Sequence, residues 1–201
     1  PKVTGSPAVG SHKFKATIAM GAQSINLTGA TEVKSEGGDL VMMDTLTTPM
    51  GEVKDRVTLD PATLAVKTRN VEQGPMKMQI AFADKATGTM TVNGQERKVD
   101  AQLGGPLFAD GAGSIYAIAA LPLADGYSTT FRNFDVQKQK EKIMALKVVG
   151  AESVTVGAGS FDAWKVEVTS AEGGAEKQTI WITKQDKRPV KVVAVNPAMG
   201  G

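Results

Sequence analysis

The residue types that most often perform catalysis or bind metals are scarce in this chain. Its 201 residues include no cysteine and a single histidine, His12, in a segment rich in Pro, Gly and Ser. One histidine without cysteine does not make a usual zinc site, and no Gly-x-Ser-x-Gly motif is present to suggest a serine hydrolase. The sequence therefore predicts no catalytic residue, no metal and no cofactor, and we interpret His12 as a surface residue.

Two carboxylates lie at positions that suggest burial. Asp44 lies beside Met42 and Leu46, and Asp55 shares the parity of the apolar residues in its strand. A buried carboxylate without a partner is costly, so these residues either lie near sheet edges or pair with Lys or Arg. A pair of carboxylates is also the machinery of glycosidases, but the spacing alone does not support that chemistry.

The segment 104–114, "GGPLFADGAGS", is rich in glycine and precedes a predicted helix. Backbone amides at such a position can hold an anion. The segment nevertheless matches neither the Gly-x-Gly-x-x-Gly pattern nor the Gly-Lys of a phosphate-binding loop. We interpret it as a loop that lets the helix dock.

Methionine supplies the strongest hint of a binding surface. Five methionines fall on the apolar parity of their strands: Met20, Met42, Met76, Met78 and Met90. Because methionine side chains are flexible and polarizable, they suit adaptable hydrophobic surfaces. On a curved sheet they would line the concave face with the helix above them, either as a filled core or as a cavity that accepts a lipid.

The two tryptophans have different surroundings. Trp164 shares its parity with Val166 and Val168, which predicts that it faces inward and joins the candidate ligand-binding residues. Trp181 lies between Ile180 and Ile182 and shares its parity with threonines, which predicts an outward position suited to a protein partner.

These residues require a β framework to position them. Alternating apolar and polar residues over about a dozen short segments predict an all-β, mainly antiparallel fold. We expect a single curved meander sheet that forms a half-barrel or open barrel. Asn93-Gly94 between two alternating runs predicts a type I′ hairpin.

One segment departs from the strand pattern. A period near 3.6 residues predicts one short helix near 111–121, with Asp110 or Ser114 as its cap and Pro122 as its end. Residues 1–12 are expected to be a linker or arm, and residues 13–201 a single β-rich domain.

Composition excludes several classes of protein. The formal charge is +2 and the basic residues are scattered, whereas nucleic-acid binding requires a basic stripe. The longest apolar run, "IYAIAALPLA", is about half of the roughly 20 residues that span a bilayer, so no transmembrane segment is predicted. Since the chain begins at Pro1 rather than Met, we expect any signal or anchor to be missing from it.

Three stretches, "LPLADGYSTTFRNFDVQ", "VTVGAGSFDAWKVEV" and "IWITKQDKRPVKVVAV", resemble a family of bacterial envelope proteins of unknown function. The resemblance covers residues 105–196. It implies a curved antiparallel sheet similar to that of the lipoprotein carriers LolA and LolB. It also implies a further strand after the position of Gly200-Gly201, which this chain would lack or a partner would supply. No catalytic residue belongs to these motifs.

Together these patterns predict a non-enzymatic protein of the bacterial periplasm or outer envelope. In the first interpretation it binds a hydrophobic small molecule or lipid on the methionine-lined concave face. In the alternative it is a structural or accessory subunit of an envelope assembly, docking through an open sheet edge or through Trp181.

Overall fold

The computed structural model describes residues 1–20, 23–49 and 51–195, which form antiparallel sheets and one short helix. The predicted all-β architecture is confirmed. The strands are divided between a sheet of eight and a sheet of five, and within these residues neither sheet closes into a barrel.

The first sheet is an uninterrupted meander in which each strand pairs with its neighbour in sequence. Its strands are β1 (Gly10–Met20), β2 (Gln23–Glu36), β3 (Asp39–Thr48), β4 (Gly51–Leu59), β5 (Val66–Gln73), β6 (Met76–Phe82), β7 (Lys85–Val92) and β8 (Gln95–Gln102). Asn93 and Gly94 join β7 to β8 with φ angles of 51° and 78°, which confirms the predicted hairpin.

The second sheet continues the same pattern after a break. Its strands are β9 (Ser128–Asp135), β10 (Lys140–Val156), β11 (Gly159–Ser170), β12 (Lys177–Thr183) and β13 (Pro189–Val195). They too pair in sequence order, with β9 at one edge and β13 at the other.

The break is made by residues 103–127, which we call the covering segment. It lies between the sheets and bonds to both, because Val66 N donates to Leu107 O at 3.0 Å and Phe108 N donates to Arg132 O at 3.0 Å. Leu107, Ile118 and Leu121 are almost fully buried in a core shared by the two sheets. Two separate sheets form because this segment fills the space between them.

The helix α1 (Ser114–Ala119) lies within the predicted range, but neither predicted capping residue caps it. The cap position is Gly113, with φ of 65° and no side-chain hydrogen bond. A Cβ atom on Gly113 would lie 2.1 Å from Met42 Sδ, so close packing on the sheet favours glycine there. The prediction of Asp110 or Ser114 as the cap is wrong for this reason.

Part of the predicted arm belongs to the folded structure. β1 begins at Gly10, inside the range 1–12. Pro7 is buried, Val3 packs against the core, and Thr4 N donates to Ala120 O at 2.9 Å. Among the described residues, no helix has the length and apolar character needed to span a bilayer.

Candidate functional site

The inner face of the eight-stranded sheet carries three parallel rows of side chains, each running from strand to strand. The inner row is Gly10, Val33, Met42, Val57, Arg69, Ile80, Gly88 and Val99. The middle row is His12, Thr31, Asp44, Asp55, Val71, Met78, Met90 and Arg97. The outer row is Phe14, Gly29, Leu46, Val53, Gln73 and Met76.

The inner row is filled. Met42 and Val57 are fully buried, and Val33, Ile80 and Val99 are nearly so. The covering segment packs on this row, as the approach of Gly113 to Met42 shows.

The middle row changes character along its length. On its first four strands it is polar, with His12, Thr31, Asp44 and Asp55, and on the next three it is apolar. Thr31 Oγ1 donates to Asp44 Oδ1 at 2.6 Å, and Gly113 N donates to Asp44 Oδ2 at 3.0 Å. Both carboxylate oxygens of Asp44 are therefore occupied, one by the sheet and one by the start of α1.

Arg69 makes a second connection between the sheet and the covering segment. Its Nη2 lies 2.8 Å from Asp55 Oδ2, and its Nη1 lies 2.8 Å from Asp110 Oδ1. Asp110 Oδ2 also accepts a hydrogen bond from Phe134 N at 2.6 Å, which extends the connection to β9. We call Arg69, Asp55, Asp110, Asp44 and Thr31 the polar clamp.

Burial sets the direction of the pKa shift at two carboxyl groups of the polar clamp, Asp110 and Asp44. It raises the pKa of Asp110, although the charge of Arg69 and the hydrogen bond from Phe134 oppose the rise. Burial likewise raises the pKa of Asp44 against the hydrogen bonds from Thr31 and Gly113. A raised pKa is one mark of a catalytic carboxyl group, but each of these carboxylates already accepts hydrogen bonds from the protein. The arrangement is suited to holding the covering segment on the sheet.

The predicted inward position of Asp44 and Asp55 is confirmed, and so is the pairing of Asp55 with a cation. His12 lies in β1 beside α1, with its ring centroid 4.9 Å from that of Tyr116. Within the described part of the chain, no group of three or more His, Asp or Glu residues could hold a metal ion.

Beyond the middle row, the inner face is left without a complete cover. We call this region the open end and define it as Phe14, Ile18, Ile25, Leu46, Val53, Met76 and Val92. Phe14, Ile18 and Val92 are exposed at 38%, 37% and 38%, and the other four are half-buried. The ring of Phe14 lies over Gly29, where a Cβ atom would be 2.5 Å from Phe14 Cζ.

The predicted methionines are divided between these regions. Met42 and Met78 are buried, whereas Met76 and Met90 are half-buried and pack at the margin of the core. The side chain of Met20 lies outside the described residues. Trp164 faces the core from the other sheet, with Lys184 Nζ 4.6 Å from its ring centroid. The five predicted ligand-binding side chains that the structure describes thus lie in different surroundings, and their role in binding stays a prediction.

Trp181 lies on the face opposite the main core, as its parity predicts. It is only 8% exposed because it packs in a small second cluster with Val154 and Ala163. Trp181 Nε1 donates to Glu152 Oε1 at 2.7 Å, and Lys165 and Lys191 lie over its ring. Its assignment as a partner-binding residue stays a prediction.

Two clefts of about 490 and 420 Å³ lie away from the methionines. The larger is bordered by the turn at Asp60 and the first residues of the covering segment, and the smaller lies near Glu141 and Glu176. The smaller cleft is lined by two ion pairs, Lys142 with Glu176 and Lys138 with Asp135.

Sequence reasoning missed Arg69 and Tyr116. Arg69 is one cation in an otherwise apolar row. Its parity with Val71 was the available signal that its side chain faces inward. Its partner Asp110 is 41 residues away in sequence, and nothing local pairs the two.

A family model described as a protein of unknown function, DUF3108, matches residues 10–200. No curated protein matches the chain, and no solved structure matches it. The predicted likeness of its sheet to LolA and LolB therefore stays a prediction.

Proposed function

Because the chain belongs to the DUF3108 family, whose function is unknown, we propose a function from its geometry: it binds the apolar part of a lipid-like ligand at the open end of the eight-stranded sheet. The ligand lies along the outer row, and the middle row marks the limit of the site on the side of the core. Binding is driven by removal of apolar surface from water and requires no catalytic group.

One observation carries this proposal. Eight large hydrophobic residues of the described chain are exposed, and three of them, Phe14, Ile18 and Val92, belong to the open end. They point to the same side of the sheet as the buried core. Exposed apolar residues that continue an apolar face beyond its cover indicate a binding site more strongly than scattered ones do.

The dimensions of the open end favour an elongated ligand. Phe14 is on β1 and Val92 is on β7, so six strand spacings separate them. At about 4.8 Å per spacing this is about 29 Å measured along the sheet. Leu46, Val53 and Met76 lie on strands between them, and Gln73 on β5 is the one polar residue in this part of the row. This mainly apolar path suits an acyl chain.

The proposal places the deeper methionines in a structural role. Met42 and Met78 fill the core under the covering segment, and the half-buried Met76 and Met90 adjust to the ligand. We further propose that the protein acts in the bacterial cell envelope, where lipids and lipid-modified proteins must be held away from water. The support for this location is the sequence resemblance described above.

The direct test is native mass spectrometry of the protein purified from its own source, before and after organic extraction. We expect an adduct with the mass of a lipid that disappears on extraction. Titration of the extracted protein with cis-parinaric acid, a fluorescent acyl chain, then measures the affinity of the empty site.

Charged substitutions locate the site. Ile18→Asp and Val92→Asp introduce a carboxylate into the open end and should weaken binding of cis-parinaric acid by about tenfold or more, because burying an unpaired charge is costly. Val149→Asp is the matched control, since Val149 is 42% exposed but lies outside the open end. Equal binding by all three variants would exclude the open end as the site.

A further inference from the structure

The four edges of the two sheets differ in how their backbone is protected. An unprotected edge strand is a template for pairing with another chain, so natural edges carry charges or are covered. The edge strand β8 has both protections. Its sequence, QERKVDAQ, carries four charges, and the side chain of Gln139 bonds along it, with Nε2 2.9 Å from Lys98 O and Oε1 3.4 Å from Asp100 N.

The edges at β9 and β1 are also protected. The covering segment lies along β9, where Phe108 N donates to Arg132 O and Leu107 forms a bridge with the same strand. β1 presents Lys13 and Lys15, both exposed, and its His12 is in contact with α1. Lysine on an edge strand is a common device against pairing.

β13 lacks these protections. Among residues 1–20, 23–49 and 51–195, no segment pairs with its outer edge. Its sequence, PVKVVAV, contains a single charge, and Val192, Val193 and Val195 are exposed at 38%, 44% and 45%. These three are the second group among the exposed large hydrophobic residues, beside those of the open end.

The charge around β13 selects the kind of chain that would pair with it. Residues 177–195 hold five cations and one carboxylate. Lys177, Lys184 and Arg188 are paired with Glu167, Asp162 and Asp186, whereas within the described residues Lys187 and Lys191 form no ion pair. Pairing of two copies through β13 would bring two such edges together, and like charges oppose association.

We propose that β13 is a docking edge for an extended, acidic segment of a partner protein, which adds a sixth strand to the five-stranded sheet. Backbone hydrogen bonds to the edge of β13 supply the pairing, and Val193 and Val195, which share one face of the strand, pack against alternate apolar side chains of the partner. Carboxylates of the partner lie near Lys187 and Lys191. This docking is independent of ligand binding at the open end.

The test uses the full chain and a designed, fluorescently labelled peptide of about eight residues in which Val alternates with Glu and Thr. Fluorescence anisotropy is expected to show binding that weakens as NaCl is raised from about 0.05 M to about 0.5 M, because salt screens the attraction. Amide hydrogen exchange is expected to slow at Val190–Val195 when the peptide is added. Peptide binding without protection of β13 would overturn the proposal.

Two changes to the peptide separate charge from strand pairing. Replacing each Glu by Lys should abolish binding if the cationic edge selects the partner. Methylating alternate backbone nitrogens retains the carboxylates but removes hydrogen-bond donors, and should also abolish binding. If the methylated peptide binds as well as the parent, the interaction is electrostatic only and the proposed strand addition is wrong.

Substitutions identify the edge. Val193→Asp and Val195→Asp should each weaken peptide binding by about tenfold or more, because the added carboxylate repels the glutamates of the peptide and replaces an apolar contact. Val149→Asp makes the same change at a similarly exposed position in β10, away from β13, and should bind normally. Circular dichroism melting confirms that all three variants are folded. A dimer in sedimentation that Val193→Asp dissociates would show that a second copy occupies the edge and would overturn the acidic-partner proposal.

Discussion

The inner and outer rows of the eight-stranded sheet have similar alternation of apolar residues but differ in what covers them. The inner row lies under the covering segment, and Met42 and Val57 there have no exposed surface. The outer row, four residues away from the inner row on each strand, includes the exposed Phe14 and the half-buried Leu46 and Val53. The polar clamp lies at the boundary between them.

This difference shows that alternation determines which face of a strand is apolar, but not whether that face is buried. Burial of the inner row depends on a segment that follows the sheet in sequence and is held by Arg69, Asp110 and Asp44. The open end has the same composition without the cover. The proposed binding site is therefore the part of the apolar face that the covering segment does not reach.

The largest effect is expected from Arg69→Met, which removes the cation shared by Asp55 and Asp110. Leaving these carboxylates without their partner should lower the free energy of unfolding by about 3–5 kcal/mol. Arg56→Met is the control, because its partner Glu36 is exposed and such pairs contribute about 0–1 kcal/mol. Urea denaturation measures both, and equal losses would mean that the polar clamp does not hold the cover in place.

Truncation of methionines tests the contrast between filled and open regions directly. Met42→Ala should cost about 2–5 kcal/mol because it leaves a cavity in the packed row. Met76→Ala, at the open end, should cost about 1 kcal/mol or less and should instead weaken binding of cis-parinaric acid. If the two variants lose equal stability, the open end is covered in solution.

Gly113→Ala tests how closely the covering segment lies on the inner row. The added Cβ atom would overlap Met42 and meet a positive φ, so we expect a loss of about 2–4 kcal/mol. Gly126→Ala provides the conformational cost alone, because Gly126 has φ of 72° and no atom within 4 Å of an added Cβ. Thermal melting measures the stability lost by each variant, and the difference between the two losses gives the cost of the overlap with Met42.

The smallest effect is expected from Asp44→Asn, and it depends on pH. Burial raises the pKa of Asp44, so its contribution to stability is fully present below its unfolded value near 3.8 and declines as the pH rises through the folded value. The wild-type advantage over the variant should therefore decrease as the pH rises from about 3.8. Urea denaturation at several pH values measures this trend, and an advantage that grows with pH would contradict the raised pKa.

Much of the framework follows from local sequence. Period-two alternation places Asp44, Asp55 and Trp164 on the inner face, and Asn93-Gly94 has the positive φ angles of its turn. These features depend on neighbours in the chain. The helix was also predictable from its period, although its cap was not, because Gly113 is required by contact with Met42 on a distant strand.

The site depends on contacts that no local pattern encodes. Arg69 and Asp110 are 41 residues apart, and Gly113 and Asp44 are 69 apart. The division into two sheets likewise results from residues 103–127 bonding to β5 and β9 at once. Methionines of the same parity consequently have different surroundings, which only the position of the covering segment determines.

The meander connectivity has a consequence for the order in which the protein assembles. All strand pairs within each sheet are neighbours in sequence, a topology that favours rapid folding through successive hairpins. We expect the eight-stranded sheet to form while the chain is being synthesised. Its apolar face then stays exposed until residues 103–127 have been synthesised and pack on it. The amino-terminal residues reach their final positions last, because Thr4 forms hydrogen bonds with Ala120 and with Lys187. Lys187 is synthesised near the end of the chain.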